Sequence, residues 1–174
     1  MLELIRRCPE YVDGYRDYCR EAYDNHAVFF LPTNPAFIDD GWFARTKEWY
    51  DKKETGQTPG QPAGFHYWAV DGDEFIGEFQ LRTELTEKIM TGIGSIGYAV
   101  RVSRQGKGYG TEILKQGLAI AEGHGMKKVL LNINDANVVS AHVCEKLGGI
   151  LMDKIRAGDS DEGGRIMRRY WIYL

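Results

Sequence analysis

Gln105-Gly106-Lys107-Gly108-Tyr109-Gly110-Thr111 stands between a strand-like run ending at Val102 and a helical run opening at about Tyr109. The glycines leave backbone N–H groups free to converge on an anion, with no Cβ atoms in the way. A helix N-terminus at the same point adds orphan donors and a partial positive charge. Arg101, Arg104 and Lys107 place three basic and no acidic residues within seven positions. The loop alone reads in two ways: as a pyrophosphate cradle, or as an ordinary glycine-rich turn with a solvated basic face.

Two neighbouring glycine patterns carry less. Gly92-Ile93-Gly94-Ser95-Ile96-Gly97 matches GxGxxG letter for letter, but a dinucleotide fingerprint needs a helix opening at it. The strand-like Tyr98-Ala99-Val100-Arg101-Val102 follows instead, so the motif reads as a glycine-rich lead-in to a strand. Gly106-Lys107 suggests a P-loop, which would need glycine at 101 and Ser or Thr at 108. Arg101 and Gly108 occupy those positions.

Outward from the loop, Tyr109 to Gly123 reads as a helix, with Ile113, Leu114, Leu118 and Ala121 on one side and Gly123 or Gly125 as its stop. Lys127 to Asn134 is an apolar strand, and Asn137 to Leu147 a helix closed by Gly148-Gly149. Phe65–Val70 and Glu74–Arg82 flank Asp71-Gly72-Asp73 as a hairpin, with a further strand over Ile93–Val102. Leu2–Arg6 reads as a first strand. A helix follows from Pro9, with Tyr11, Tyr15, Tyr18 and Ala22 at helical spacing. An aromatic helix runs from the Asn34-Pro35 start signal to about Glu54, and Gly56–Gly64 is a breaker-rich loop. Ile150–Arg156 and Arg165–Tyr173 are strands around a polar turn. Strand–helix–strand order in the centre implies a right-handed parallel crossover, and the outer strand runs make the sheet mixed.

The 174 residues suit one domain, spanning 1–174. The balance of 22 basic and 25 acidic residues argues against nucleic-acid binding, and no run of eighteen apolar residues suggests a membrane span. The start of the chain lacks signal-peptide order. Cys8, Cys19 and Cys144 form no CxxC pair, so no metal is expected, and they read as reduced thiols of a cytoplasmic protein. Glycine is in excess, 21 residues, and six of them fall between Gly92 and Gly110.

On these residues the chain resembles the GCN5-related N-acetyltransferase (GNAT) superfamily. That family's cofactor motif, Gln/Arg-x-x-Gly-x-Gly/Ala, stands here as Gln105 to Gly110. Its second region stands as Leu130–Asn134, then Asn137-Val138-Val139-Ser140 and Glu145-Lys146-Leu147-Gly148. The ending Arg168–Ile172, with Gly148-Gly149, resembles a bacterial group of predicted acetyltransferases of unassigned substrate. The resemblance implies an α+β fold: a mostly antiparallel six- or seven-stranded sheet with a parallel, splayed central strand pair and about four helices. It implies acetyl-CoA in the opening between that pair. Backbone groups of Val100, Arg101 and Val102 would pair with the pantetheine arm. Gln105, Gly106, Lys107, Gly108, Tyr109, Gly110 and Thr111 would hold the pyrophosphate. Asn137 and Ser140 would face the cofactor from the following strand's end.

The implied activity is transfer of an acetyl group to a primary amine, on a small molecule or a protein N-terminus, by direct attack in a ternary complex. A non-catalytic acyl-CoA sensor on the same fold is the alternative, and transfer of a longer acyl group a third reading. Many members place a Tyr directly before the Glu-Lys-Leu-Gly run as the acid, where this chain has Cys144. Cys144 is therefore read either as a thiol acid or as a small packing residue. The strand-four carboxylate that many members use as base is missing. Glu78 is the substitute, with Glu84 behind it and His66, His124, His26 and His142 as further candidates. Residues 65–90 carry six acidic and two basic side chains, an acceptor side suited to a cationic amine. The Phe37–Tyr50 segment and the Gly56–Gly64 loop would shape the acceptor pocket or a homodimer contact.

Overall fold

The computed structural model describes residues 1–25, 34–157 and 165–174. Along them run β1 (Leu2–Arg6), α1 (Val12–Asp24), α2 (Trp42–Glu54), β2 (Gly64–Asp71), β3 (Glu74–Arg82) and β4 (Ile96–Val100). Then follow α3 (Tyr109–Gly123), β5 (Lys128–Asn134), α4 (Val138–Lys146), β6 (Ile150–Ala157) and β7 (Arg165–Tyr173). The expected α+β fold is present. Its seven strands, however, divide into two antiparallel sheets, β1-β2-β3-β4 and β5-β7-β6. The polar turn between β6 and β7 lies outside the described residues, as does His26.

The two sheets meet where Ser95 N–H donates to Leu130 O at 2.7 Å and Leu130 N–H donates to Ser95 Oγ at 3.1 Å. Gly94 makes this possible. Its φ is +71°, and a Cβ there would lie 2.6 Å from Leu130 O. Beyond this point β4 and β5 share no ladder among the described residues. A cleft opens between them, and each sheet closes its hydrogen bonds internally. The strand expected over Ile93–Val102 is correspondingly shorter. Ile89–Ile93 forms a π-helical turn, tied to β5 by Asn132 Nδ2, which donates to the carbonyls of Met90 and Gly92 at 3.2 and 3.0 Å. No helix opens at the GxGxxG match, as expected.

Helices cover both faces of the first sheet. On α1, Tyr15, Tyr18, Cys19 and Ala22 are buried, the spacing of one helical face. Tyr15 stacks on Trp42 of α2 and Trp68 of β2, with centroids 5.1 and 5.2 Å apart. Rings in such contact add about 0.5–1.5 kcal/mol per pair beyond area burial. On the other face α3 packs against β1, β3 and β4. Gly117 lets it come close, since a Cβ there would lie 2.1 Å from the Phe79 ring. Gln116 of α3 accepts from Leu4 N–H and donates to Leu2 O, satisfying the open edge of β1. These contacts set the start of α3 at the end of β4.

Candidate active site

The loop that leads into α3 leaves its backbone open. Gly106 and Gly108 adopt φ of +75° and +85°, and nothing lies within 4 Å of where a Cβ would stand on either. Gly108 is the N-cap of α3 and supplies no side-chain cap. The N–H groups of Gly106 through Gly110 have no acceptor among the described residues. Converging orphan amides, a helix N-terminus and open space together fit a pyrophosphate. The basic side chains contribute less than their number suggested. Arg101 pairs with Glu21 of α1 at 2.6 Å, and Arg104 pairs with Glu74 at 2.5 Å. Both brace the loop, and Glu21 also accepts from Ser103 N–H and Oγ–H. Lys107 is exposed, with no ion-pair partner among the described residues.

The register fixes the direction of the β4 backbone. Arg101 N–H donates to Ile76 O and Ser95 O accepts from Arg82 N–H, so alternate residues from 95 to 101 turn their polar groups toward β3. Tyr98 and Val100 turn theirs outward, into the opening. The Val100 carbonyl accepts from Gln105 Nε2 at 3.2 Å, and its N–H points away from β3 along an edge with no neighbouring strand. Arg101 N–H, committed to Ile76, has no such freedom, and Val102 already belongs to a 3-10 turn.

A cleft of about 930 Å³ runs through the splay. Its lining includes Tyr50 of α2, His66 of β2, Gln80 and Arg82 of β3, Gly97 and Tyr98 of β4, and Asn137 and Ser140 at the start of α4. Tyr98 and Ser140 hydroxyls lie 3.1 Å apart. Burial pushes the Tyr98 phenol up to about 12, so it stays protonated at neutral pH. Asn137 caps α4, its side chain accepting from Ser140 N–H at 3.1 Å. That is the physical use of the Asn-x-x-Ser spacing. Asn132 Oδ1, also on the cleft wall, is a buried acceptor with no partner among the described residues.

The two residues expected to carry catalysis are both set back from the cleft. Cys144 is fully buried, and burial pushes its thiol up to about 12. Gly149 packs over it, for a Cβ at 149 would stand 2.5 Å from its sulfur. Glu78 is buried behind His66. One carboxylate oxygen accepts from Tyr18 Oη at 2.9 Å, and the other lies 2.6 Å from His66 Nε2. Burial and the Glu78 charge hold the Tyr18 phenol well above its usual range. His66 is itself 6% exposed, lines the cleft, and its Nδ1 has no partner among the described residues. His124, against the Phe65 ring, and the exposed His142 line no part of it.

The acidic acceptor side is not found. No carboxylate lines the cleft among the described residues, whereas Lys53, Arg82 and Arg165 do. The hairpin carboxylates sit at the opposite end of β2 and β3. Asp71 takes the Met1 ammonium at 2.6 Å and the Tyr109 hydroxyl at 3.0 Å, and Glu74 takes Arg104.

An open strand edge beside an uncapped helix start, leading to a polar cleft, is an arrangement into which an extended, phosphate-bearing acyl carrier fits. A sequence model of the acetyltransferase (GNAT) domain matches residues 18–150. The chain belongs to the GNAT acetyltransferase family, whose co-substrate is acetyl-CoA. Among solved structures it is similar to the microcin C7 self-immunity acetyltransferase MccE in complex with acetyl-CoA and AMP, at 15% identity and TM-score 0.71, covering 99% of this chain and 92% of that one. It is similar to Mycobacterium smegmatis RimJ in complex with CoA-disulfide, at 14% identity and TM-score 0.75, covering 99% and 82%. A chimeric spermidine N-acetyltransferase SpeG from Vibrio cholerae gives 16% identity and TM-score 0.67, covering 99% and 95%. No curated protein sequence gives a significant match. No helix among the described residues is long and apolar enough to cross a membrane.

Proposed function

We propose that the protein transfers the acetyl group of acetyl-CoA to a primary amine by direct attack within a ternary complex. The observation that carries this reading is His66, which lines the same cleft as the Tyr98–Ser140 hydroxyl pair and is held at Nε2 by the Glu78 carboxylate behind it.

The pyrophosphate rests on the amides of Gly106 to Gly110, with Lys107 beside them and Tyr109 and Thr111 in the first turn of α3. The pantetheine arm lies along the free edge of β4, where Val100 N–H is available to polarise the thioester carbonyl. An amine reaches the carbonyl from the His66 side. The Glu78 carboxylate accepts the His66 Nε2 proton, which leaves Nδ1, buried at the cleft wall and without a partner among the described residues, as the lone pair that takes a proton from the amine. The C–N bond forms as the C–S bond breaks. The thiolate departs toward Tyr98 and Ser140, whose hydroxyls supply hydrogen bonds to it. Cys144 is a packing residue in this account, and Glu78 positions His66 without touching the reacting atoms.

The amine class remains wide: the similar structures include a spermidine N-acetyltransferase and one complexed with AMP. The reading is tested by following thiol release from acetyl-CoA across a panel of amines, with mass analysis of the acceptor. Stoichiometric thiol and acetylated amine are expected for at least one class. Tight acetyl-CoA binding with no turnover on any amine would favour the non-catalytic sensor.

A further inference from the structure

The cleft carries positive charge that the fold leaves unneutralised. Arg82, at the end of β3, is 9% exposed, and it forms no ion pair among the described residues. Its guanidinium donates to Gln80 Oε1 at 2.8 Å and to Gly94 O at 3.4 Å. A guanidinium has five N–H donors in a planar fork, so most of its capacity is unspent. Burial pushes this group down to about 10. Lys53 of α2 lies close enough for Arg82 to depress it further, in addition to its own burial. Gly64, directly opposite Arg82 in the β2–β3 register, leaves room for the Lys53 side chain, since a Cβ there would stand 3.0 Å from Lys53 Cε. His66 and Gln80, the next residues on the same sheet face, carry the wall toward the proposed base.

A buried charge without a counter-ion is costly, and the cost falls when a ligand supplies the opposite charge. An arginine fork beside a lysine matches a carboxylate or a phosphate. We infer that the acceptor amine carries an anionic group, a carboxylate or a phosphate, which docks on Arg82 and Lys53 while its amine faces His66. This rests on the proposed transfer to an amine and narrows it. Polyamines and other purely cationic acceptors would meet like charge at this point.

The test uses matched amines that differ in the anion: L-phenylalanine against L-phenylalaninamide, and glucosamine 6-phosphate against glucosamine. Each is measured for acetyl transfer and, separately, for equilibrium binding to the CoA-saturated protein by calorimetry. The anionic member of at least one pair is expected to bind and react better, and which pair responds tells carboxylate from phosphate. Arg82→Gln should lower binding and kcat/KM for that member by about 10- to 100-fold, the scale of losing a charge-assisted hydrogen-bonded pair. The member lacking the anion should change far less, so that the preference for the anionic member collapses. Lys53→Gln, at a more exposed position, should act in the same direction with a smaller effect and guards against misfolding of the first variant. Transfer to neutral or polycationic amines that equals or exceeds the anionic members would overturn the inference and leave acyl transfer standing. Anion-dependent binding lost in Arg82→Gln, with no acetyl transfer to any amine, would uphold the anion site and overturn the transferase reading. Absence of anion preference in both measurements would overturn the inference.

Discussion

Gly108→Glu is expected to weaken acetyl-CoA binding by about 100-fold or more, by placing a carboxylate where orphan amides and a helix N-terminus await phosphate. Gly108 has φ +85°, so any side chain there also costs backbone strain of about 1–2 kcal/mol. The two contributions separate cleanly. Gly108→Ala carries the strain alone, and because nothing lies within 4 Å of its Cβ position it should fold and lose only a few-fold in affinity. Calorimetric titration of both variants with acetyl-CoA, alongside thermal melting, checks this. Unchanged affinity in Gly108→Glu would remove the cradle from the account.

His66→Gln is expected to lower kcat by about 10²- to 10⁴-fold, the range for loss of a general base. Glutamine retains a donor for the buried Glu78 carboxylate, so the variant avoids leaving that charge unpaired. Its KM for acetyl-CoA should stay as in the parent, because His66 lines the acceptor wall and not the cradle. Glu78→Gln removes the charge behind the imidazole; its amide oxygen can still accept from one of Tyr18 Oη–H and His66 Nε2–H, while its NH2 faces the other. It should lower kcat by about 10- to 100-fold, the loss expected for one hydrogen bond to a charged group. A fall in kcat with both KM values and the melting temperature held identifies positioning. Steady-state kinetics with both substrates varied makes the distinction. Full activity in His66→Gln would end its assignment as base.

Much of the cofactor half could be read from the chain. Tyr109 to Gly123 forms α3 with the bounds the pattern indicated, because glycine marks its start and apolar spacing marks its buried face. Gly148, with φ +90°, and Gly149 close α4 as two adjacent glycines suggest. The acceptor half was less legible. His66 and Glu78 are diagonal neighbours across a hairpin whose register shifts at Ala69/Val70, and only the paired strands bring them together. Tyr98 and Ser140 meet across 42 residues. Charge counts misled for a related reason. The stretch 65–90 is acidic in sum, yet Asp71, Asp73 and Glu74 gather at the hairpin turn, Glu78 is buried, Glu84 and Glu87 are exposed beyond β3 and line no part of the cleft, and Arg82, one of its two basic residues, does line it. Arg101 and Arg104 likewise looked available for phosphate until Glu21 and Glu74 were found opposite them. The junction of the two sheets at Ser95 and Leu130 depends on Gly94, whose positive φ is invisible in a pattern of apolar residues.

The central claim is that acetyl-CoA occupies the splay between β4 and β5, with its phosphates on α3 and its thioester between Tyr98 and His66. A crystal structure of the protein with bound CoA tests this directly. The account predicts pyrophosphate oxygens within hydrogen-bonding distance of the Gly106–Gly110 amides, the pantetheine along Tyr98 and Val100, and the sulfur beside the Tyr98–Ser140 hydroxyls. Pyrophosphate bound away from the start of α3, or a sulfur directed away from the cleft wall that carries His66, would contradict it.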